Sequence, residues 1–246
     1  MRGTLKLETV CEPNTDICII IDSRVDNKDM DLLYKRNRVL LSKYNHISTY
    51  SKTRGITILL KKKTGVTVGN ILYHDNHNIL IFSIMTPSNN TIDIAAIYGP
   101  SDRDDPEFFQ TVLDALEDRG NEHRVIIGDW NTTLNRDLDE KDYISDTHRK
   151  TRELLRGWEE GDIMYDALRV QNPTAKNYTW RTRAGQAGRL DMMWISEKLL
   201  GKTYLSSHFN NINTTDHHTL LATIDLETHK EGPGVFRAKI GIQNNP

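Results

Sequence analysis

The sequence is poor in cysteine: Cys11 and Cys18 are the two in 246 residues. That is too few for a disulfide framework and points to a reducing intracellular compartment. There is no run of about 18 apolar residues, so no segment is long and apolar enough to span a membrane as a helix. The first residues, Met1-Arg2-Gly3-Thr4-Leu5-Lys6, lack the apolar stretch of a secretory signal. Internal repeats and low-complexity tracts are missing too. Net charge is small, −2, so composition does not announce a nucleic-acid binder.

Hydrophobic residues make up 37% and charged residues 27%, enough apolar material for a buried core in an ordinary soluble composition. The charges are unevenly spread. Lys35, Arg36 and Arg38 cluster, as do Lys61, Lys62 and Lys63, and again Arg181, Arg183 and Arg189. Acids gather at Asp102, Asp104 and Asp105, and at Asp137, Asp139 and Glu140. An acidic pocket in a basic frame is what a metal enzyme acting on phosphate needs; scattered solvated charges are the competing reading.

Short β-branched runs predict strands at Ile17–Ile21, Gly55–Leu60, Val66–Tyr73, Ile79–Met85, Ile92–Tyr98, Val125–Ile127, Leu190–Ile195 and Leu220–Leu226. Ile79–Met85 and Ile92–Tyr98 read as a hairpin across Pro87-Ser88-Asn89-Asn90. Helices are expected over Asp105–Arg119, with Pro106 in the first turn and Gly120 past the end, and over Thr147–Glu160. Two strand sets with helices outside them suggest a two-layer sheet core covered by helices. From Thr228 the chain turns polar, and residues 228–246 read as a linker leading out of a domain spanning 1–227.

Four short signals carry chemistry, each at a strand end. In Gly128-Asp129-Trp130-Asn131, Gly128 would let backbone approach a ligand. Asp129 and Asn131, two apart in an extended segment, would then point the same way. A carboxylate that takes a proton from water beside an amide that holds a phosphate oxygen suits phosphate hydrolysis; an Asx turn is the competing reading. In Thr215-Asp216-His217-His218, Asp216 is a candidate metal ligand or base and His217 a proton carrier or charge stabiliser, with His218 on the other face. Asp191 interrupts an apolar strand in Arg189-Leu190-Asp191-Met192 and must be paired, His217 being the obvious partner. Asp22 ends the strand Ile17–Ile21, where acidic metal ligands emerge into clefts.

In order and spelling these motifs, with Tyr98-Gly99-Pro100, resemble the exonuclease–endonuclease–phosphatase superfamily of DNase I-like and apurinic-site endonucleases. Within it the chain looks most like the endonuclease domain of non-LTR (LINE-type) retrotransposons. The segments that carry this likeness are Ser51-Lys52-Thr53-Arg54-Gly55 before a strand, Tyr178-Thr179-Trp180 before Arg189-Leu190-Asp191, and the exit Gly232-Pro233-Gly234-Val235-Phe236-Arg237. The resemblance implies a four-layer α/β/β/α sandwich of two mostly antiparallel sheets and a nuclear DNA nickase using Mg²⁺ or Mn²⁺. A fused reverse transcriptase would extend the 3′-hydroxyl. It implies Asp22 as a metal ligand with Asp216, Asp129 as base, Asn131 and Tyr98 at the phosphate, and His217 held by Asp191. Arg24, Trp180, Arg181 and Arg183 would contact double-stranded DNA, the last two from a hairpin whose tip bends at Gly185 and Gly188.

The sequence departs from the family twice. Asp22 stands where the family has glutamate, so it must approach more closely or act through water. Ahead of Ile17 only Asn14 is available, in a Glu-Pro-Asn-Thr turn, so the family's first strand and its asparagine are expected to be missing. The runner-up enzyme is another phosphoesterase of the superfamily, acting on RNA ends, phosphoinositides or sphingomyelin; the departures motivate a third reading of another class, a domain that binds DNA without cutting it.

Overall fold

Along the buried strands apolar side chains alternate between two cores, and this period of two sets the architecture. The computed structural model describes residues 15–29, 34–36, 38–73, 77–142, 147–208 and 216–226. The central sheet has six strands in the order β4 (Thr67–Tyr73), β5 (Ile79–Met85), β6 (Thr91–Tyr98), β7 (Arg124–Asp129), β12 (Asp191–Ile195) and β9 (Tyr165–Asp166). Its pairings are antiparallel except β6 with β7. On one face Ile81, Ala95, Ile97, Ile126, Met192 and Trp194 pack against two helices, α2 (Pro106–Glu117) and α4 (Arg149–Glu160). On the other face Leu80, Phe82, Ile94, Val125, Met193 and Ile195 meet a second layer of strands.

That second layer holds β1 (Ile17–Ile21), β3 (Ile56–Lys61) and β2 (Tyr44–Ser48) in the order β1-β3-β2, beside the pair β13 (Thr203–His208) and β14 (Thr219–Ile224). Ile17, Ile19, Ile56 and Ile58 turn inward, while Cys18, Ile20 and Leu59 turn outward against Leu41 of α1 (Arg38–Lys43). The layers run helix, sheet, sheet, helix, the α/β/β/α sandwich expected from the sequence. No helix among the described residues is long and apolar enough to cross a membrane.

The predicted strands occur within a residue or two of their expected bounds, and the β5–β6 hairpin pairs Ile79 with Ile97. Strands β2 and β13 and helix α1 went unpredicted. The segments before Thr15, including Asn14, and beyond Leu226, including the expected linker, lie outside the described residues.

Both acidic clusters have structural work. Asp105 accepts the Phe108 N–H as the N-cap of α2. Asp104 accepts the Lys150 and Thr151 N–H groups (2.7 and 2.9 Å) and the Thr151 hydroxyl (2.8 Å), capping α4 from another loop. Asp139 is fully buried. It takes the Arg189 Nε at 2.7 Å, while the same guanidinium reaches Asp166 at 2.6 Å and Arg169 donates to Asp139 as well. The clusters are therefore not a metal pocket, and Arg189, 1% exposed, is no part of a basic surface.

Burial alone would raise the Asp139 pKa, but the charge and hydrogen bonds of Arg189, the Asn135 N–H and Arg169 outweigh it and hold the carboxyl below its usual value. Removing one member leaves charge stranded in the interior, so Asp139→Asn is expected to lower stability by about 3–5 kcal/mol, a fall on the order of 10 °C in Tm. Because the folded pKa is the lower one, this stabilisation is present above the unfolded value of about 3.9 and is lost as pH falls through the folded value. Thermal melts taken between about pH 6 and about pH 3 should fall more steeply for the wild type than for Asp139→Asn. Parallel curves would remove Asp139 from the linkage.

Candidate active site

Three strands of the central sheet carry the site in register. Tyr98 lies beside Asp129 across β6–β7, and Asp129 beside Asp191 across β7–β12. Each shares parity with the residues that face the second sheet, so all three side chains stand at one end of the groove between the sheets. Asp22 arrives from the end of β1, and Asp216 and His217 from the turn that enters β14.

Gly128 is required by the scaffold. Its φ is +151°, and a Cβ there would lie 2.0 Å from the Ile97 carbonyl oxygen on β6. The expectation that its missing side chain serves a ligand is corrected: it serves the parallel neighbour. The segment past Asp129 is also not extended, for Asn131 has φ +49° and its N–H binds Asp129 Oδ1 at 2.9 Å. The Asx turn and the convergent pair are thus the same structure. Asn131 Nδ2 donates to the carbonyl of Gly99, the residue after Tyr98, at 2.9 Å. Between them Trp130 turns into the core, stacked on Phe109 with its indole N–H on Met192 O.

His217 Nδ1 lies 2.8 Å from Asp191 Oδ2, and Nε2 lies 4.0 Å from Asp129 Oδ2, ion-pair range rather than a hydrogen bond. Burial opposes the charge on His217, but the bond to Asp191 and the fields of Asp191, Asp129 and Asp216 prevail and raise its pKa to about 9. Asp129, 5% exposed, is pushed up to about 7 by burial first and by Asp191 second, with His217 pulling it back. The Tyr98 hydroxyl is raised by burial and by Asp129 and Asp22.

Among the described residues, Asp129, Asp191 and His217 offer ligand atoms within 4.8 Å of one another. Asp191 engages Nδ1 and leaves Nε2 toward Asp129, so the trio can hand on a proton, and with the histidine neutral it could also hold a metal. Asp22 and Asp216 fall outside that set. The Asp22 carboxylate takes Arg24 in a forked pair (2.7 Å to Nη2), and Asp216 accepts the Trp180 indole N–H at 3.0 Å. Arg24 and Trp180 therefore partner the two expected metal ligands. Asp22 acts electrostatically on Asp129 and Tyr98, and Asp216 on His217, so both belong to the same electrostatic site. Their donors are hard carboxylate oxygens, which fit Mg²⁺ or Mn²⁺ once Arg24 gives way.

The hairpin pairs β10 (Trp180–Arg181) with β11 (Ala187–Gly188), and β11 continues onto β8 (Glu140–Lys141), so it does not run directly into the Asp191 strand. Gly188 is a paired strand residue; of the two glycines only Gly185, φ +94°, is at the tip. Arg183 is exposed there, while the Arg181 guanidinium lies 5.4 Å from the Tyr178 ring centre. His218 is half-buried, its N–H on Thr179 O. Sequence reasoning gave Thr179 no role. It is 1% exposed, and its hydroxyl oxygen accepts the N–H groups of Leu190 and Asp191 at 3.0 and 2.9 Å. A hydroxyl residue between two aromatics was the available signal.

No family model matches the sequence, and no curated protein matches it. Solved structures do match in fold. A 3′ phosphatase, NExo, from Neisseria, bound to product DNA hairpin, aligns with TM-score 0.69 and 14% identity over 89% of this chain and 92% of its own. The AP endonuclease LMAP from Leishmania major aligns at TM-score 0.68 and 14% identity, covering 87% of this chain and 79% of that one. The endonuclease domain of TRAS1, a telomere-specific non-LTR retrotransposon, aligns at TM-score 0.58 and 14% identity over 75% and 81%.

Asp191→Asn would remove the charge that holds the His217 proton. By NMR titration in EDTA the His217 pKa should fall from about 9 toward the ordinary value near 6.5. An unchanged titration would mean that Asp191 does not set its charge. The chain thus adopts the AP-endonuclease-like, DNase I-type sandwich, with Asp129, Asn131, Asp191 and His217 gathered at one end of its inter-sheet groove.

Proposed function

We propose that the protein is a divalent-metal-dependent phosphodiesterase that nicks one strand of double-stranded DNA, leaving a 3′-hydroxyl and a 5′-phosphate. The observation that carries this reading is His217 set between two carboxylates, its Nδ1 2.8 Å from Asp191 and its Nε2 4.0 Å from Asp129. A buried carboxyl titrating near 7 matches what a general base needs at neutral pH. Asp129 would take a proton from the attacking water. His217, kept charged by Asp191, would meet the negative charge that builds on the phosphoryl oxygens. Asn131, tied to Gly99 beside Tyr98, would orient the scissile phosphate together with the Tyr98 hydroxyl. A divalent ion held by Asp22 and Asp216 would polarise the phosphate and steady the leaving 3′ oxygen.

The TRAS1 endonuclease domain among the fold neighbours supports the narrower reading of a retrotransposon endonuclease, whose nick primes reverse transcription by a domain following the polar linker from Thr228. Nuclear action would follow from a chromosomal target. The forked Asp22–Arg24 pair favours the rival reading, a DNA-binding domain that no longer cuts, because Arg24 occupies the carboxylate a metal would need.

Nicking of supercoiled plasmid decides between them. In Mg²⁺ the chain should nick; EDTA should abolish this, and His217→Ala or Asp129→Asn should slow it at least about 100-fold. DNA binding without metal-dependent nicking would leave the non-cutting reading standing.

A further inference from the structure

Between β2 and β3 the chain makes a tight excursion, Ser51-Lys52-Thr53-Arg54-Gly55, whose return uses Gly55 at φ +113°. The loop is tied to the segment that carries Asp22: Ser23 N–H donates to Gly55 O at 2.9 Å and Arg24 N–H to Arg54 O at 3.0 Å. This brings the Arg54 guanidinium over the Tyr98 ring, 5.4 Å from its centre.

Nearby cations are neutralised, Lys52 by Asp26 at 3.2 Å and Arg24 by Asp22 at 2.7 Å. Arg54 is different. Among the described residues no carboxylate lies within ion-pair distance of it, and its guanidinium donates no hydrogen bond to protein. A guanidinium mounted on an aromatic face still has its planar fork of N–H donors at the edge, the shape that grips a phosphate. It is half-buried, partly pre-ordered by the ring, and set on a tyrosine whose neighbour across the sheet is Asp129.

We propose that Arg54 is a substrate-binding residue that grips a backbone phosphate neighbouring the one cut, on the Tyr98 side of the groove. The proposal rests on the phosphodiesterase reading above and adds a contact to it. Tyr98 then has two functions: its hydroxyl serves the reacting phosphate beside Asp129, and its ring holds the arginine that fixes the strand's register.

The test uses the whole chain with a fluorescent duplex oligonucleotide. Binding in EDTA is titrated between about 50 and about 200 mM salt for wild type, Arg54→Met and Arg54→Lys, beside nicking kinetics in Mg²⁺ and thermal melts. Arg54→Met should weaken binding on the order of tenfold and lower the slope of log affinity against log salt by about 0.9, with melting unchanged. Arg54→Lys should restore the slope but not the full affinity, since it keeps the charge and loses the fork. In nicking, KM should rise while kcat stays within about threefold. An Arg54→Met slope and affinity equal to wild type would overturn the proposal, as would wild-type chain that binds no duplex. Salt-dependent binding that responds to Arg54 without any nicking would instead refute the phosphodiesterase reading and leave this contact in place.

Discussion

The buried guanidinium of Arg189 is the constraint on which the rest of the site depends. It draws in two fully buried carboxylates, Asp139 and Asp166, from separate segments of the chain, and Arg169 completes the charge balance. Asp139 also takes the Leu134 and Asn135 N–H groups, closing the loop that follows Asn131. Charges so deep in the interior are tolerated only when fully paired, which makes the arrangement close to all-or-none. Two residues after the anchor comes Asp191, and Leu190 O takes the Trp130 N–H at 2.8 Å. An ion network away from the groove therefore sets where β12 begins, and with it the register of Asp191 against Asp129.

That register brings two carboxylates side by side on adjacent strands, an arrangement that repels unless a cation intervenes. His217 supplies the positive charge, bonded to one acid and in ion-pair range of the other. The same geometry explains why the two acids differ: Asp191 is committed to the imidazole, whereas Asp129 is more buried and is pushed toward neutrality. Unequal environments for paired acids are what separates a base from its supporting partner. The backbone around them is strained as well. Asp22, Arg24 and Asn131 all sit at positive φ without being glycine, a conformation that Asp and Asn tolerate and that is more costly for Arg24.

Much of this was legible in the sequence, and the losses have physical reasons. The strands β1, β5, β6, β7 and β12 declare themselves because both faces are buried and their apolar runs are nearly continuous. Strand β2, Tyr44-Asn45-His46-Ile47-Ser48, hides because it borders the second sheet with polar side chains and borrows its pairing from β3. Asp22, Asp129, Asp191, Asp216 and His217 were visible because acids and a histidine interrupt or end apolar runs. Arg189 was misread as surface because a lone sequence cannot show that Asp139, fifty positions upstream, and Asp166 wait for it. The acidic clusters misled for the same reason: helix capping by Asp104 is a contact between distant segments. Thr179 escaped because a hydroxyl accepting backbone N–H groups leaves no periodicity.

The hairpin and the reacting groups are one mechanical unit, and this shapes how specificity can change under the proposed function. Thr179 binds the Asp191 N–H through its hydroxyl and the His218 N–H through its carbonyl. One residue on, the Trp180 indole holds Asp216, and the Arg181 N–H binds the Asp216 carbonyl at 2.9 Å. The strand that launches the tip thus also fixes the turn bearing His217. Only Thr182 to Gln186, closed by their own turn hydrogen bonds, stand clear of these ties. Were the tip to meet DNA as proposed, substitutions there would alter which DNA shapes are admitted without moving the reacting groups, whereas a change at Thr179 or Trp180 would move both. Under that function target choice and catalysis would separate at Arg181, and the side chains beyond it would be where one can vary while the other is kept.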